Sequence, residues 1–134
     1  MKLEELLKKP IEATSFSVED VELMSGNEFE HFLSDMFKRH NYKTEVTKST
    51  GDQGADLIIE KNNVRYAVQA KRYSGVVGNK AVQEALSGMH YYKTNLAMVV
   101  TTNEFTKAAK ELASVSNVIL IDRHELYKLI NMVY

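Results

Sequence analysis

The sequence has no cysteine and only one proline, Pro10. Without cysteine there are no disulfides, no thiolate-ligated zinc and no iron–sulfur cluster. This suits a reducing compartment, and a cytoplasmic location is expected. Surplus positive charge is missing too: 17 Lys and Arg stand against 18 Asp and Glu, for a net charge of −1. That balance is not the global signature of a non-specific nucleic-acid binder, although local basic patches stay open. No apolar run approaches the ~20 residues that a membrane helix needs. The opening MKLEELLKKP sets acids among its leucines, so it does not read as a signal peptide. His31, His40, His90 and His124 lack a metal-ligand spacing such as His-x-x-x-His. No internal repeat, linker or low-complexity segment is found.

What is present is an ordinary globular composition, 44% hydrophobic and 26% charged over 134 residues. That length suits one domain with its own core. Residues 1–24 read as a helical prelude broken at Pro10, packed on or beside the core. LEELLKK is a short amphipathic helix, and SVEDVELM is another that Ser17 could cap. The strongest helix is SGNEFEHFLSDMFKRHNY. Phe29, Phe32, Leu33, Met36 and Phe37 recur at helical spacing. Ser25 followed by Glu28 is a capping-box pair, and the helix should end near His40-Asn41, where Asn tolerates a left-handed cap.

After this helix YKTEVTKS reads as a strand and TGDQGAD as a glycine-rich turn. DLIIE and VRYAVQAKRY are strands around KNN, and SGVVGNK is a loop. AVQEALSGMHYY is a helix with Val82, Ala85, Leu86 and Met89 on one face. NLAMVVTT and NVILI are short apolar runs typical of strands covered on both faces. They alternate with the helices EFTKAAKELA and DRHELYKLINMV, the latter opened by an Asp122–Glu125 capping box. The expected fold is α/β. An antiparallel meander of three strands is joined by parallel strands through right-handed crossovers, with helices on both faces of one mixed sheet.

The segment DLIIEKNNVRYAVQAK repays closer reading. If Asn62-Asn63 is a two-residue hairpin loop, Lys61 opposes Val64 and Glu60 opposes Arg65. Ile59 then opposes Tyr66, Ile58 opposes Ala67, Leu57 opposes Val68, and Asp56 opposes Gln69. Opposed residues have Cβ atoms roughly 4.5–5.5 Å apart on one face. Lys71, two residues beyond Gln69, points the same way. One end of the hairpin thus gathers a carboxylate, an amide oxygen and an ammonium. On residue types alone two readings stay open. The face can be the solvent side of a half-buried strand pair, with Glu60–Arg65 a cross-strand ion pair. Or it can be a ligand set: Asp56, Gln69 and the Ala70 carbonyl are hard oxygen donors suited to Mg²⁺. Lys71 could then orient a water or neutralise charge on a phosphate. Glu30, at the border of the first helix's apolar stripe at ~100° per residue, can add a carboxylate, or simply be an exposed boundary charge. Glu28 is occupied by capping.

These residues sit in a recognisable series: SGNEFEHFL, GDQGADLII, VQAKRYSGVVGNKAVQE, MVVTTNEFTKAAKELA and VILIDRHEL. The series resembles a stand-alone Mrr-type restriction endonuclease domain of the PD-(D/E)xK nuclease superfamily, over about residues 25 to 127. The resemblance implies a restriction-endonuclease-like core in residues 25–134 and Mg²⁺-dependent DNA cleavage, with Mn²⁺ as a substitute metal. It implies that Asp56 is the motif aspartate and Lys71 the motif lysine. Gln69 stands where many superfamily members carry an acid, in a Gln-x-Lys form common in the Mrr branch. Glu30 matches the first-helix glutamate. Defence against foreign DNA is the implied role. A homodimer is expected, since cutting two strands suits two sites related by a two-fold axis. The prelude of 1–24 is too short for a separate recognition domain, so a recognition partner is a further expectation.

Gln53, Arg72, Lys80 and Gln83 are candidate DNA contacts, with Lys48 and Lys93 as further phosphate contacts; each also reads as an ordinary surface group. Asp52 is taken as a turn residue. Tyr91 and Tyr92 could stack on bases, but helix packing is the preferred reading. A second class of function is a non-catalytic or structure-specific DNA-binding module, including a Holliday-junction resolvase-like protein.

Overall fold

Local signals fix the first long element. The structure, a computed structural model, describes residues 18–47, 53–72 and 75–134. Helix α1 spans Val18–Glu22 and helix α2 spans Gly26–Arg39. The capping box forms: Ser25 Oγ accepts from the Glu28 N–H at 3.1 Å, and Glu28 Oε1 accepts from the Ser25 N–H at 2.8 Å. Both orphan donors at the helix start are thereby satisfied. At the other end Asn41 takes the left-handed conformation, with φ +70°, as its small polar side chain allows. All five apolar stripe residues of α2 are buried. The expected helix over 3–9, its break at Pro10, the Ser17 cap, and Lys48 and Asp52 lie outside the described residues.

Strands β1 (Lys43–Val46), β2 (Leu57–Lys61) and β3 (Val64–Lys71) form the antiparallel meander. Asn62 and Asn63 both have positive φ, +53° and +65°, which a two-residue turn of the I′ type requires. The hairpin register is the expected one from Lys61↔Val64 through Leu57↔Val68. The ladder stops there, and the expected Asp56–Gln69 pair does not form as a rung. The Asp56 N–H donates to the Val68 carbonyl at 2.8 Å instead, so the strands part at this point.

Helix α3 (Asn79–Tyr92) leads to β4 (Leu96–Thr101), helix α4 (Lys107–Ser116) to β5 (Ile119–Ile121), and helix α5 (Arg123–Val133) closes the chain. Strands β3, β4 and β5 are parallel, and the sheet order is β1-β2-β3-β4-β5. Along β4 the side chains alternate. Met98 and Val100 enter a core with Phe29, Leu33, Met36, Leu126 and Ile130 of α2 and α5. Ala97 and Val99 enter a second core with Val82, Ala85, Ala109 and Ala113 of α3 and α4. The same alternation divides β3: Val68 belongs to the α2–α5 side, while Ala67 packs with Ile58, Met89 and Tyr92 on the α3 side. Gln69 and Lys71 share the parity of Ala67 and therefore face α3. At this end the face is covered, not open to solvent; at the other end the expected cross-strand pair of Glu60 and Arg65 forms, at 3.9 Å and partly exposed.

Residues 18–24 touch the core. Val21 is fully buried in it, and Arg123 pairs with Glu19 and Glu22. Among the described residues, no helix is long and apolar enough to cross a membrane.

Candidate active site

The site lies at the carboxyl ends of β3 and β4, the edge where open α/β sheets bind ligands. Asp56 enters it from the lead into β2. That lead is held from both sides. Thr47 Oγ1 donates to the Ala55 carbonyl at 2.7 Å, and the Thr47 N–H donates to the Asp56 carbonyl at 3.0 Å. On the other side Asp56 Oδ2 accepts the Ala70 N–H at 2.8 Å. The carboxylate, 8% exposed, is thus stitched across the β3 backbone beside Gln69. The structure brings Asp56, Gln69, Ala70 and Lys71 together, by a side chain–backbone bond rather than by the expected rung.

Gln69 is 5% exposed, and its Oε1 is buried without a hydrogen-bond partner. An unsatisfied buried amide oxygen costs about 1–3 kcal/mol, and native structures carry few of them. Its donor chemistry fits a hard cation, as does that of the neighbouring carboxylate. In a ladder the N–H and C=O of one residue are exchanged with the same neighbour. The Ala70 carbonyl therefore looks to the same side as its N–H, the side of Asp56. The oxygen set present fits a divalent metal. No group of three His, Asp, Glu or Cys side chains gathers among the described residues, so the fit rests on the mixed carboxylate, amide and carbonyl set.

The orphaned oxygen predicts a trade of stability against function. Gln69→Met removes the unsatisfied acceptor at similar volume. The metal-free protein should gain about 1–2 kcal/mol, read as a higher urea midpoint at unchanged slope. A lower midpoint would mean that Gln69 Oε1 is satisfied in solution.

Lys71 is 13% exposed in its side chain, and its Nζ lies 3.2 Å from Glu84 Oε1 on α3. Glu84 was not foreseen. The residue singled out on that helix, Gln83, is exposed, as is Lys80. The signal for Glu84 was a second stripe of small residues. Ala81, Ala85 and Gly88 are buried at helical three- and four-residue spacing, and Glu84 flanks them. Reading one face through Val82, Ala85, Leu86 and Met89, without Ala81 and Gly88, hid it. Thr101 and Thr102, both fully buried, were also missed. Thr101 is the β4 partner of Lys71, and the Thr102 N–H donates to the Lys71 carbonyl at 3.3 Å.

Glu30 is half-buried in the first half of α2. Gln53 is exposed beside the lead to Asp56, and Lys93 is exposed at the end of α3. Arg72 is used internally: its Nη1 donates to the Glu22 carbonyl at 3.1 Å, and its Nε is buried without a partner. Tyr92 packs against Ala55 and Ile58 as expected of a helix residue, whereas Tyr91 is 60% exposed. At the opposite end of the parallel strands a cavity of about 290 Å³ is lined by Phe37, His40, Tyr42, Lys61 and Tyr66, among others. Its polar groups serve the fold: His40 Nε2 meets the Leu129 carbonyl and Lys61 Nζ the His40 carbonyl. The candidate site is at the other end.

Comparison with known proteins supplies the family and the fold. A catalytic-domain family, Mrr, described as a restriction endonuclease, matches residues 21–130. The chain is 28% identical over 138 residues to the type IV methyl-directed restriction enzyme EcoKMrr of Escherichia coli (strain K12). That match takes in 96% of this chain and 45% of the relative, so the chain spans less than half the relative's length. Among solved structures, the DNA modification-dependent restriction endonuclease AspBHI superposes with a TM-score of 0.67 at 20% identity, over 86% of this chain and 34% of that one. The MspJI restriction endonuclease in complex with a 27-mer oligonucleotide gives 0.55 at 21% identity, over 78% and 28%. At these identities the likeness shows a common fold.

Proposed function

The chain belongs to the Mrr catalytic family of restriction endonucleases, and from that premise we propose that it hydrolyses DNA phosphodiester bonds with a divalent metal, Mg²⁺ in the cell. The observation that carries this reading is the pairing of a buried carboxylate, Asp56, with the orphaned oxygen of Gln69. Lys71 follows on the same face.

In this reading Asp56, Gln69 and the Ala70 carbonyl hold the metal, and Glu30 on α2 supplies a second carboxylate. The metal, when bound, polarises a phosphoryl oxygen and makes a bound water more acidic. The chain's own residues do the rest. The Ala70 N–H holds Asp56 Oδ2 and so orients the carboxylate across the end of β3. Gln69 binds without adding negative charge, so the site repels phosphate less than a site with an acid in its place. Lys71 lays its ammonium where charge develops on the scissile phosphate, or orients the attacking water. Lys80, Gln83 and Gln53, exposed around the same edge, are the candidate backbone contacts. A homodimer and a separate recognition partner complete the proposal, together with a role in restriction of foreign DNA.

The test is cleavage of supercoiled plasmid, methylated and unmethylated, with Mg²⁺, Mn²⁺ or EDTA. Nicking or linearisation in either metal, abolished by EDTA, is the expected result. Intact plasmid in every arm, with DNA binding indifferent to metal, would favour a non-catalytic binding module. A four-way junction in the same series separates a structure-specific enzyme from either.

A further inference from the structure

We propose that Glu84 is the positioning residue for Lys71, and that α3 acts as a plate registering both halves of the site. The inference rests on the nuclease reading above.

Two independent contacts carry it. The first is the ion pair, Lys71 Nζ to Glu84 Oε1 at 3.2 Å, with the glutamate side chain 35% exposed and the lysine 13%. A lysine ammonium rides on a flexible four-carbon stem and finds no fixed place without an acceptor. Glu84 supplies one from the helix that covers its face.

The second contact is a backbone seam on the same helix. A Cβ added to Gly54 would lie 2.2 Å from the Glu84 carbonyl oxygen and 2.9 Å from the Gly88 nitrogen. A Cβ added to Gly88 would lie 2.8 Å from the Gly54 carbonyl carbon and oxygen. Only paired glycines let the two backbones approach this closely. Gly54 stands two residues before Asp56. So the turn of α3 that carries Glu84 touches the lead to Asp56 with its backbone and touches Lys71 with its side chain. The separation of carboxylate and ammonium is thereby set by one rigid element rather than by the flexible stem of Lys71.

The test uses the full chain with Glu84→Ala and Glu84→Gln, read in two ways. In the metal-free protein, NMR of the Lys71 ε-methylene, assigned against Lys71→Met, reports its order. It should be more ordered in the wild type than in Glu84→Ala, with Glu84→Gln, whose amide oxygen still accepts, between them. With Mg²⁺ present, the single-turnover cleavage constant of Glu84→Ala should fall by about 10- to 100-fold, with the Kd for DNA in EDTA within about twofold. Unchanged order of Lys71 together with an unchanged rate in Glu84→Ala overturns the inference while leaving the nuclease intact. Loss of DNA affinity in step with rate overturns it too, since Glu84 would then act in binding. Absence of cleavage by the wild type itself sinks the nuclease reading and this inference with it.

Discussion

Asp56→Asn and Lys71→Met should each lower the single-turnover rate of metal-dependent cleavage by about 10²- to 10³-fold without unfolding the protein. The choice of substituent matters. Asparagine keeps an oxygen to accept the Ala70 N–H, the 2.8 Å bond that stitches Asp56 to β3. It removes the charge and replaces the other carboxylate oxygen by an NH2 group, which takes away most of the affinity for a divalent cation. Methionine keeps the stem of a lysine that is 13% exposed and removes only the ammonium. Thermal or urea unfolding close to the wild type, with binding to DNA in EDTA changed less than about tenfold, would assign the loss to chemistry. If either variant cleaves at the wild-type rate, that residue is not part of the machinery. If both unfold, their role is architectural. Rising Mg²⁺ should rescue Asp56→Asn in part and Lys71→Met not at all, because only the first change weakens a metal ligand.

Most of the scaffold around these residues was legible from local chemistry. The α2 stripe, the Ser25–Glu28 box, the Asn41 cap and the Asn62-Asn63 turn each follow from one or two residues acting over short range. The turn then fixed the register of five rungs, because a one-residue slip would send Leu57, Ile59 and Val68 out of the core. Legibility stopped at the end of that ladder. Pairing rules place Asp56 opposite Gln69, but they cannot foresee that the strands part and that a side chain replaces the rung. Nor do they foresee which helix covers the face. That depends on a crossover from β3 through α3 to β4, a long-range choice. Glu84 and the threonines Thr101 and Thr102 reach the site only through that choice. Arg72 shows the converse: a basic residue beside the motif lysine, suited by type to phosphate, is occupied by the carbonyl end of α1.

Gly54→Ala should be the most damaging glycine-to-alanine change among the described residues. Gly54 has φ +95°, a conformation that costs an L-residue about 1–3 kcal/mol. Its new Cβ would stand 2.2 Å from the Glu84 carbonyl oxygen, a backbone atom that cannot rotate away. Overpacking of this kind costs roughly a further 1–3 kcal/mol. The sum, about 2–6 kcal/mol, is a large share of the roughly 5–15 kcal/mol that holds a domain of ordinary stability. Gly88→Ala sharpens the argument, because two effects oppose. Alanine is favoured over glycine inside a helix by about 1 kcal/mol, yet this Cβ would press on the Gly54 carbonyl at 2.8 Å and on the Ala55 Cβ at 2.9 Å. Destabilisation by Gly88→Ala therefore means that the seam outweighs helix propensity; stabilisation means that it does not. Gly26→Ala is the control, with nothing within 4 Å of the added atom, and should stay within about 0.5 kcal/mol of wild type. If the seam also sets the distance from Asp56 to Lys71, cleavage by Gly88→Ala should fall even at temperatures where the variant remains folded. A variant destabilised but fully active when folded would make the seam a device of stability alone.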